Sequence, residues 1–197
     1  MSHYYLNDEQ LNHEIQEIRF SVKKQEIILD TDRGVFSRNQ LDFGTEVLLE
    51  NIDFSDDFNT IIDMGCGYGP IGIYAAKSCP DAHVIMADVN DRAVLLATKN
   101  AEKNHVKNTE IMVSFLFENI KKKADLIITN PPIRAGKQTV FNLYDQAYLN
   151  LNQGGVFYAV IQKKQGAPSS VKKLEETFGN CQVVTKEKGY WVLLAKK

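Results

Sequence analysis

The chain is short of cysteine, of net charge and of long apolar runs, and each shortage removes a class of protein. Only three of its 197 residues are cysteine. Cys66, Cys79 and Cys181 are odd in number and show no Cys-x-x-Cys spacing. They are expected to be reduced thiols in a cytosolic, cytoplasmic protein, with neither a disulfide frame nor a zinc site. His3, His13, His83 and His105 have no chelating spacing with those cysteines, so no metal is expected. No apolar stretch approaches the roughly 18–20 residues of a membrane span. The first ten residues, MSHYYLNDEQ, are polar and acidic, unlike a signal peptide. There are no internal repeats and no low-complexity tracts.

What is present is ordinary in bulk and uneven in detail. Hydrophobic residues make up 44% and charged residues 24%. A chain of this length buries about 70% of its unfolded surface and needs no covalent staple. The net charge is -2, but residues 1–100 carry 8 Lys+Arg against 17 Asp+Glu, and residues 101–197 carry 15 against 8. That asymmetry predicts a polyanion-facing surface built from the second half, unless folding intermixes the halves.

The hydrophobic pattern predicts an α/β fold. Glu17–Val22 and Gln25–Asp30 read as a β-hairpin around Lys23-Lys24. Thr45 is placed to cap a short helix over Glu46–Ile52, and an acidic connector follows. From residue 60 the texture becomes β-α-β-α. Strands are expected at Thr60–Met64, His83–Ala87, Glu110–Val113, Ala124–Thr129 and Val156–Ile161, the last beginning after Gly154-Gly155. Helices are expected at Pro70–Cys79, Asp91–Asn104 with Asn90 as cap, Thr139–Leu151 and Ser169–Phe178. Gln182–Lys186 and Tyr190–Ala195 flank a tight Lys188-Gly189 turn and predict a closing antiparallel hairpin. The alternation predicts a doubly wound, mostly parallel sheet, with ligands bound at the carboxyl ends of its strands.

Two loops fall at those ends. The first, Asp63-Met64-Gly65-Cys66-Gly67-Tyr68-Gly69-Pro70-Ile71-Gly72, supports two readings. Gly67, Gly69 and Gly72 fit G-x-G-x-x-G, with Asp88 about 20 residues on, as in dinucleotide sites. Asp63, Gly65, Gly67 and Gly69 fit D-x-G-x-G-x-G. Chemistry favours the second, because a carboxylate at the end of the first strand repels a pyrophosphate but attracts an ammonium or sulfonium. The other loop, Asn130-Pro131-Pro132-Ile133-Arg134-Ala135-Gly136-Lys137, follows a strongly apolar strand. On its own Asn-Pro often starts a turn, so the motif's meaning depends on its place after that strand.

The first loop resembles motif I of the class I S-adenosylmethionine-dependent methyltransferases, and the second resembles their [DN]-P-P-[aromatic] motif. The run N-P-P-I-R-A-G-K, with Gly34-Val35-Phe36-Ser37 and Leu41-Asp42-Phe43-Gly44-Thr45, is similar to the RsmC-like small-subunit (16S) rRNA guanine-N2 methyltransferases, as a short, single-domain member. The resemblance implies a Rossmann-like methyltransferase domain over 59–197, with a β-hairpin and helix extension over 1–58 packed on it. It implies S-adenosylmethionine as cofactor and S-adenosylhomocysteine as product. Asp63, Gly65, Gly67 and Gly69 would hold the amino acid end, and Asp88, with Val89 beside it, the ribose. Ser114 and Phe115 would meet the adenine, and Gly44 and Thr45 the methionine end. Asn130, with Pro131 and Pro132, would be catalytic and lie against cofactor and target alike: the target amine, a poor nucleophile on an aromatic ring or carbonyl, would be held and pyramidalised by hydrogen bonds to the Asn side-chain oxygen and a proline-locked backbone carbonyl. Phe36 and Ser37 would lie over cofactor or base. Ile133 would pack on the base where relatives place an aromatic ring, and Arg38, Arg134 and Lys137 would meet phosphates. Lys163-Lys164 lie near the same sheet edge, whereas Lys121-Lys122-Lys123 read as a solvated loop. The expected partner is small-subunit rRNA or an assembling small subunit, with no membrane. The family's best-known bacterial members carry a further N-terminal pseudo-domain that this chain lacks, so recognition would rest on the single domain or on a homodimer. The rivals are a protein glutamine methyltransferase, another exocyclic-amine nucleic-acid methyltransferase, a non-catalytic RNA-binding module and an NAD-dependent enzyme.

Overall fold

Near-continuous apolar runs make central strands, and the computed structural model, which describes residues 14–33, 37 and 40–197, stacks them in one sheet. The ribbon strands β1 (Gln16–Val22) and β2 (Gln25–Thr31) and helix α1 (Phe43–Asn51) come first. Then follow β3 (Thr60–Met64), α2 (Pro70–Ser78), β4 (His83–Asp88), α3 (Asp91–Lys103), β5 (Thr109–Val113) and β6 (Ala124–Thr129). The chain closes with α4 (Lys137–Asn150), β7 (Leu151–Gln162), α5 (Ala167–Phe178), β8 (Gln182–Glu187) and β9 (Tyr190–Lys196). The seven-stranded sheet runs β5-β4-β3-β6-β7-β9-β8. Only β9 opposes the others, pairing antiparallel with both β7 and β8. The strand order reverses between β3 and β6, so the two motif loops leave adjacent strands at the switch point.

Side chains alternate across the sheet into two cores. Ile61, Val84, Ile128 and Val160 pack with α1, α2, α3 and the ribbon, whereas Ile62, Ile85, Ile127 and Ile161 pack with α4 and α5. Among the described residues no helix is long and apolar enough to cross a membrane.

Two local expectations need correction. Helix α1 begins at Phe43, and its cap is Asp42, whose Oδ2 accepts the Thr45 N–H at 3.0 Å. Both residue types can cap; Asp42 wins because its carboxylate reaches the amide three residues on, which leaves Thr45 inside the first turn. Strand β7 begins at Leu151, before the glycine pair. Leu151 lies opposite Ala124 and Val156 opposite Leu126, so Asn152–Gly155 bulge out of a continuous strand.

The ribbon turns through Lys23 and Lys24, both at positive φ (47° and 70°), as a two-residue hairpin demands. One edge of β2 is closed by side chains rather than by a strand. Asn104 donates to Ile28 O (2.6 Å) and accepts from Ile28 N (3.2 Å). Asn100 donates to Asp30 O (2.9 Å) and accepts from Asp30 N (2.7 Å). Four residues of helix rise about 6 Å and two of strand about 6.8 Å, so the amides fall in step with the strand's bonding groups. Asn100 also donates to Tyr68 O (2.8 Å) in the glycine loop. Asn100→Ala strands the half-buried Asp30 N–H and C=O and the buried Tyr68 C=O, and is expected to lower unfolding free energy by about 2–4 kcal/mol, read by urea denaturation.

Candidate active site

The glycine loop is shaped by its own backbone. Gly65, Gly67 and Gly69 have φ of 76°, 55° and 99°, a region costly to other residues. Gly72 is required for a different reason: a Cβ there would lie 2.5 Å from Met86 Cγ, so helix α2 could not approach β4. Asp63 is fully buried. Its Oδ2 accepts the Gly72 N–H (2.8 Å) in the first turn of α2, so the chain's own carboxylate occupies the anion-binding end of that helix. A pyrophosphate has no place there, which removes the dinucleotide reading. Asp63 Oδ1 is buried with no hydrogen-bond partner among the described residues. Burial, with Asp88 nearby, pushes the Asp63 carboxyl up to about 8. Such an orphaned acceptor is satisfied by a cationic donor.

Asp88, at the end of β4, is also buried. Its Oδ2 accepts Gly67 N–H (2.8 Å) and its Oδ1 accepts Asn90 N–H (2.9 Å), which ties the glycine loop to the cap of α3. Val89 is half-buried between them. Ser114 is buried and its hydroxyl is engaged, donating to Leu116 O (2.7 Å) and accepting from Asn119 N (3.1 Å). Phe115 stands 47% exposed beside it. The Cys66 thiol is buried within the loop, and burial together with Asp88 and Asp63 pushes it up.

Asn130, at the end of β6, is half-buried and fixed from the N-terminal side of the chain. Its Nδ2 donates to Asp42 Oδ2 (2.9 Å) and to Thr45 Oγ1 (3.0 Å). A carboxylate only accepts, so the amide nitrogen must face Asp42 and the amide oxygen must face away. Pro131 is buried; its carbonyl accepts Ile133 N–H (2.8 Å), which leaves one lone pair for another donor. Pro132 O accepts Ala135 N–H (2.9 Å), so Ile133–Ala135 form a tight 3-10 turn. Ile133 is half-buried against the α4 core, whereas Arg134 and Lys137 are exposed.

The structure thus brings Asp63, Asp88, Asn130, Gly44 and Thr45 together at the sheet's carboxyl edge. Gly44 is packed out: a Cβ there would meet Tyr190 Cε1 at 2.8 Å, so its glycine character serves the contact of α1 with β9. Ser37 donates to Gln40 O (2.6 Å), and its carbonyl faces Tyr68 OH at 3.4 Å, so that loop reaches the glycine loop. Phe36 and Arg38 lie outside the described residues. Sequence reasoning missed Asp42. Its cap pattern was visible, but its bond to Asn130 crosses 88 positions and leaves no local signature.

Comparison with known proteins agrees with this geometry. The family model for the methyltransferase small domain matches residues 26–194. YbxB of Bacillus subtilis (strain 168), itself uncharacterized, is 41% identical over 197 residues, which covers 99% of this chain and 98% of that one. The ribosomal RNA small subunit methyltransferase C of Haemophilus influenzae (strain PittGG) is 40% identical over 126 residues, 62% of this chain and 38% of that one. The solved structure of the T. thermophilus 16S rRNA N2 methyltransferase (RsmC), in complex with AdoMet and guanosine, superposes with a TM-score of 0.82 at 26% identity, over 93% of this chain and 50% of that one. The chain therefore spans half or less of these two rRNA methyltransferases and nearly all of the B. subtilis protein. With a family model running from the ribbon to β9 and a shared fold beneath it, the chain belongs to the methyltransferase small domain family, on the class I methyltransferase fold.

Proposed function

We propose that this protein is an S-adenosylmethionine-dependent methyltransferase acting on the exocyclic N2 of guanine in small-subunit rRNA. The observation that carries the reading is the Asn130 amide, held by its nitrogen so that its oxygen is left for a donor, on the strand next to an orphaned buried carboxylate. The residues fit the cofactor. Asp63 Oδ1 suits its ammonium, and Asp88, an acceptor-only carboxylate when ionised and placed at the end of the adjacent strand β4, suits the ribose hydroxyls. When bound, S-adenosylmethionine supplies an electrophilic methyl group on a sulfonium. Asn130 Oδ1 and the second lone pair of Pro131 O accept the two N–H groups of the target amine. This removes its lone pair from conjugation and aims it. The proton passes to solvent from a nitrogen that has already become cationic, so an amide acceptor suffices for positioning and no strong base is needed. Guanine N2 in rRNA, rather than a glutamine amide, is favoured by Ile133 in place of an aromatic ring and by the basic second half of the chain.

The test is methyl transfer from radiolabelled cofactor to undermethylated rRNA, assembled small subunits and bulk protein, followed by nucleoside mass spectrometry. N2-methylguanosine in small-subunit RNA is expected; label in protein or in another nucleoside would reassign the substrate. Asp42 provides a sharper check on the site. Asp42→Ala frees the Asn130 amide to rotate and is expected to lower kcat by about 10–100-fold with little change in cofactor affinity. Asp42→Asn keeps a carbonyl acceptor in place and is expected to recover most of the rate. Equal loss in both variants would mean that the negative charge of Asp42, not the orientation of Asn130, matters.

A further inference from the structure

The charge asymmetry of the sequence becomes a spatial one at the carboxyl edge of the sheet. The last residue of β7, Gln162, pairs with the first of β9, Tyr190. The turn entering α5 and the β8–β9 turn therefore emerge side by side, and Lys163 N–H donates to Gly189 O at 2.6 Å. Lys163, Lys164 and Lys188 are exposed on these two turns and Lys186 at the end of β8, with Glu187 as the one carboxylate among them. None of the four has an ion-pair partner among the described residues, whereas Lys103, Lys173, Arg33 and Arg92 are each held by a carboxylate. Two of the four stand over aromatic faces instead: Lys186 lies 4.0 Å from the Trp191 ring centre and Lys188 4.6 Å from that of Phe43. Such a contact leaves the full positive charge available.

The position of Lys188 ties this ridge to the chemistry. Phe43 packs edge-on against Tyr190, with ring centres 5.7 Å apart. The residue before Phe43 is Asp42, which holds Asn130. The ridge therefore begins one residue from the group that orients the catalytic amide, on the opposite side of Asn130 from the glycine loop. Lys121, Lys122 and Lys123, by contrast, precede β6 and lie at the amino edge of the sheet, away from both motif loops.

We propose that the β7–α5 and β8–β9 turns form a docking ridge for the phosphodiester backbone of an unpaired RNA segment flanking the base presented to Asn130. The inference rests on the RNA reading above and extends it to residues that neither motif contains. Backbone neutralisation explains the chemistry: each lysine against a phosphate displaces a condensed counterion, and an unpaired strand can leave its target base free to enter the site.

The experiment measures binding of a short, unstructured, fluorescent RNA oligonucleotide to the full chain saturated with S-adenosylhomocysteine, across a salt series. The combined variant Lys163→Gln/Lys164→Gln/Lys188→Gln is compared with Lys121→Gln/Lys122→Gln/Lys123→Gln. The first is expected to weaken binding at least tenfold at about 0.1 M salt and to flatten the log–log salt slope by about 2, near 0.7 per lost contact. The second has the same charge change and is expected to alter neither. S-adenosylhomocysteine affinity is expected to be unchanged in both, which shows that the fold is kept. Unchanged RNA binding in the turn variant, or equal loss in the two, overturns the ridge alone. Absence of salt-dependent RNA binding by the unaltered protein overturns the RNA reading, and the ridge with it.

Discussion

Asn130→Ala is expected to abolish most methyl transfer, by about 10²–10³-fold in kcat, while S-adenosylmethionine binds as before. The size follows from what is removed. The neighbouring side chain at the end of β6, Thr129, is buried with its hydroxyl donating to Met64 O (2.7 Å), and the second acceptor, Pro131 O, already shares its electrons with Ile133 N–H. The selectivity follows from where Asn130 is anchored. Its amide nitrogen is bound to Asp42 and Thr45 in the cap and first turn of α1, not to the glycine loop. Single-turnover rates with equilibrium cofactor titrations separate the two quantities. A large rise in cofactor Kd would instead make Asn130 primarily a cofactor residue.

Asp63 carries the second large effect. Asp63→Asn preserves an acceptor for Gly72 N–H, and with it the helix start, but removes the charge. Cofactor affinity is expected to fall by about 10²–10³-fold, the scale of losing one side of a buried, charged contact. The pH dependence is equally diagnostic. Because burial raises the Asp63 carboxyl to about 8, the unliganded fold prefers its protonated form. The stability that this contributes is fully present below the ordinary carboxylate range near 4 and is lost as pH rises through 8. A cationic ligand demands the opposite, ionised form. Between about pH 5.5 and 7.5 binding should therefore release close to one proton, and affinity should strengthen towards neutral pH. Calorimetry in buffers of different ionisation enthalpy reads the proton directly. Release that persists in Asp63→Asn would assign it to another group.

Much of this site was legible in the sequence because its signals are local. Asp63 and the glycines lie within one strand–turn–helix, and Asn130 with its prolines follows one apolar strand. Each motif carries its meaning within about ten residues. The closing hairpin was legible for the same reason, through Lys188-Gly189. What escaped was long-range or ambiguous in type. Asp42 and Thr45 are both competent caps, and only the fold shows that one caps while the two together hold Asn130. Gly154-Gly155 signals a break, but pairing on both flanks of the bulge makes it part of β7. Ser114 follows β5, where the resemblance implied an adenine contact, yet its hydroxyl is taken up by its own turn. Lys188 looks like a plain hairpin turn until Phe43 is brought beneath it from the far end of the chain.

The double service of Asn100 has a consequence for how the molecule opens. One side chain pairs with Asp30 on the edge of β2 and also holds the carbonyl of Tyr68 in the loop that would surround the cofactor. Transient fraying of the ribbon and loosening of that loop thus share one side-chain anchor, which couples the two segments in local unfolding. A ligand that clamps the glycine loop stabilises the coupled pair. Its occupancy is then felt at the Asp30 amide, on a strand outside both motif loops, as slower exchange with solvent.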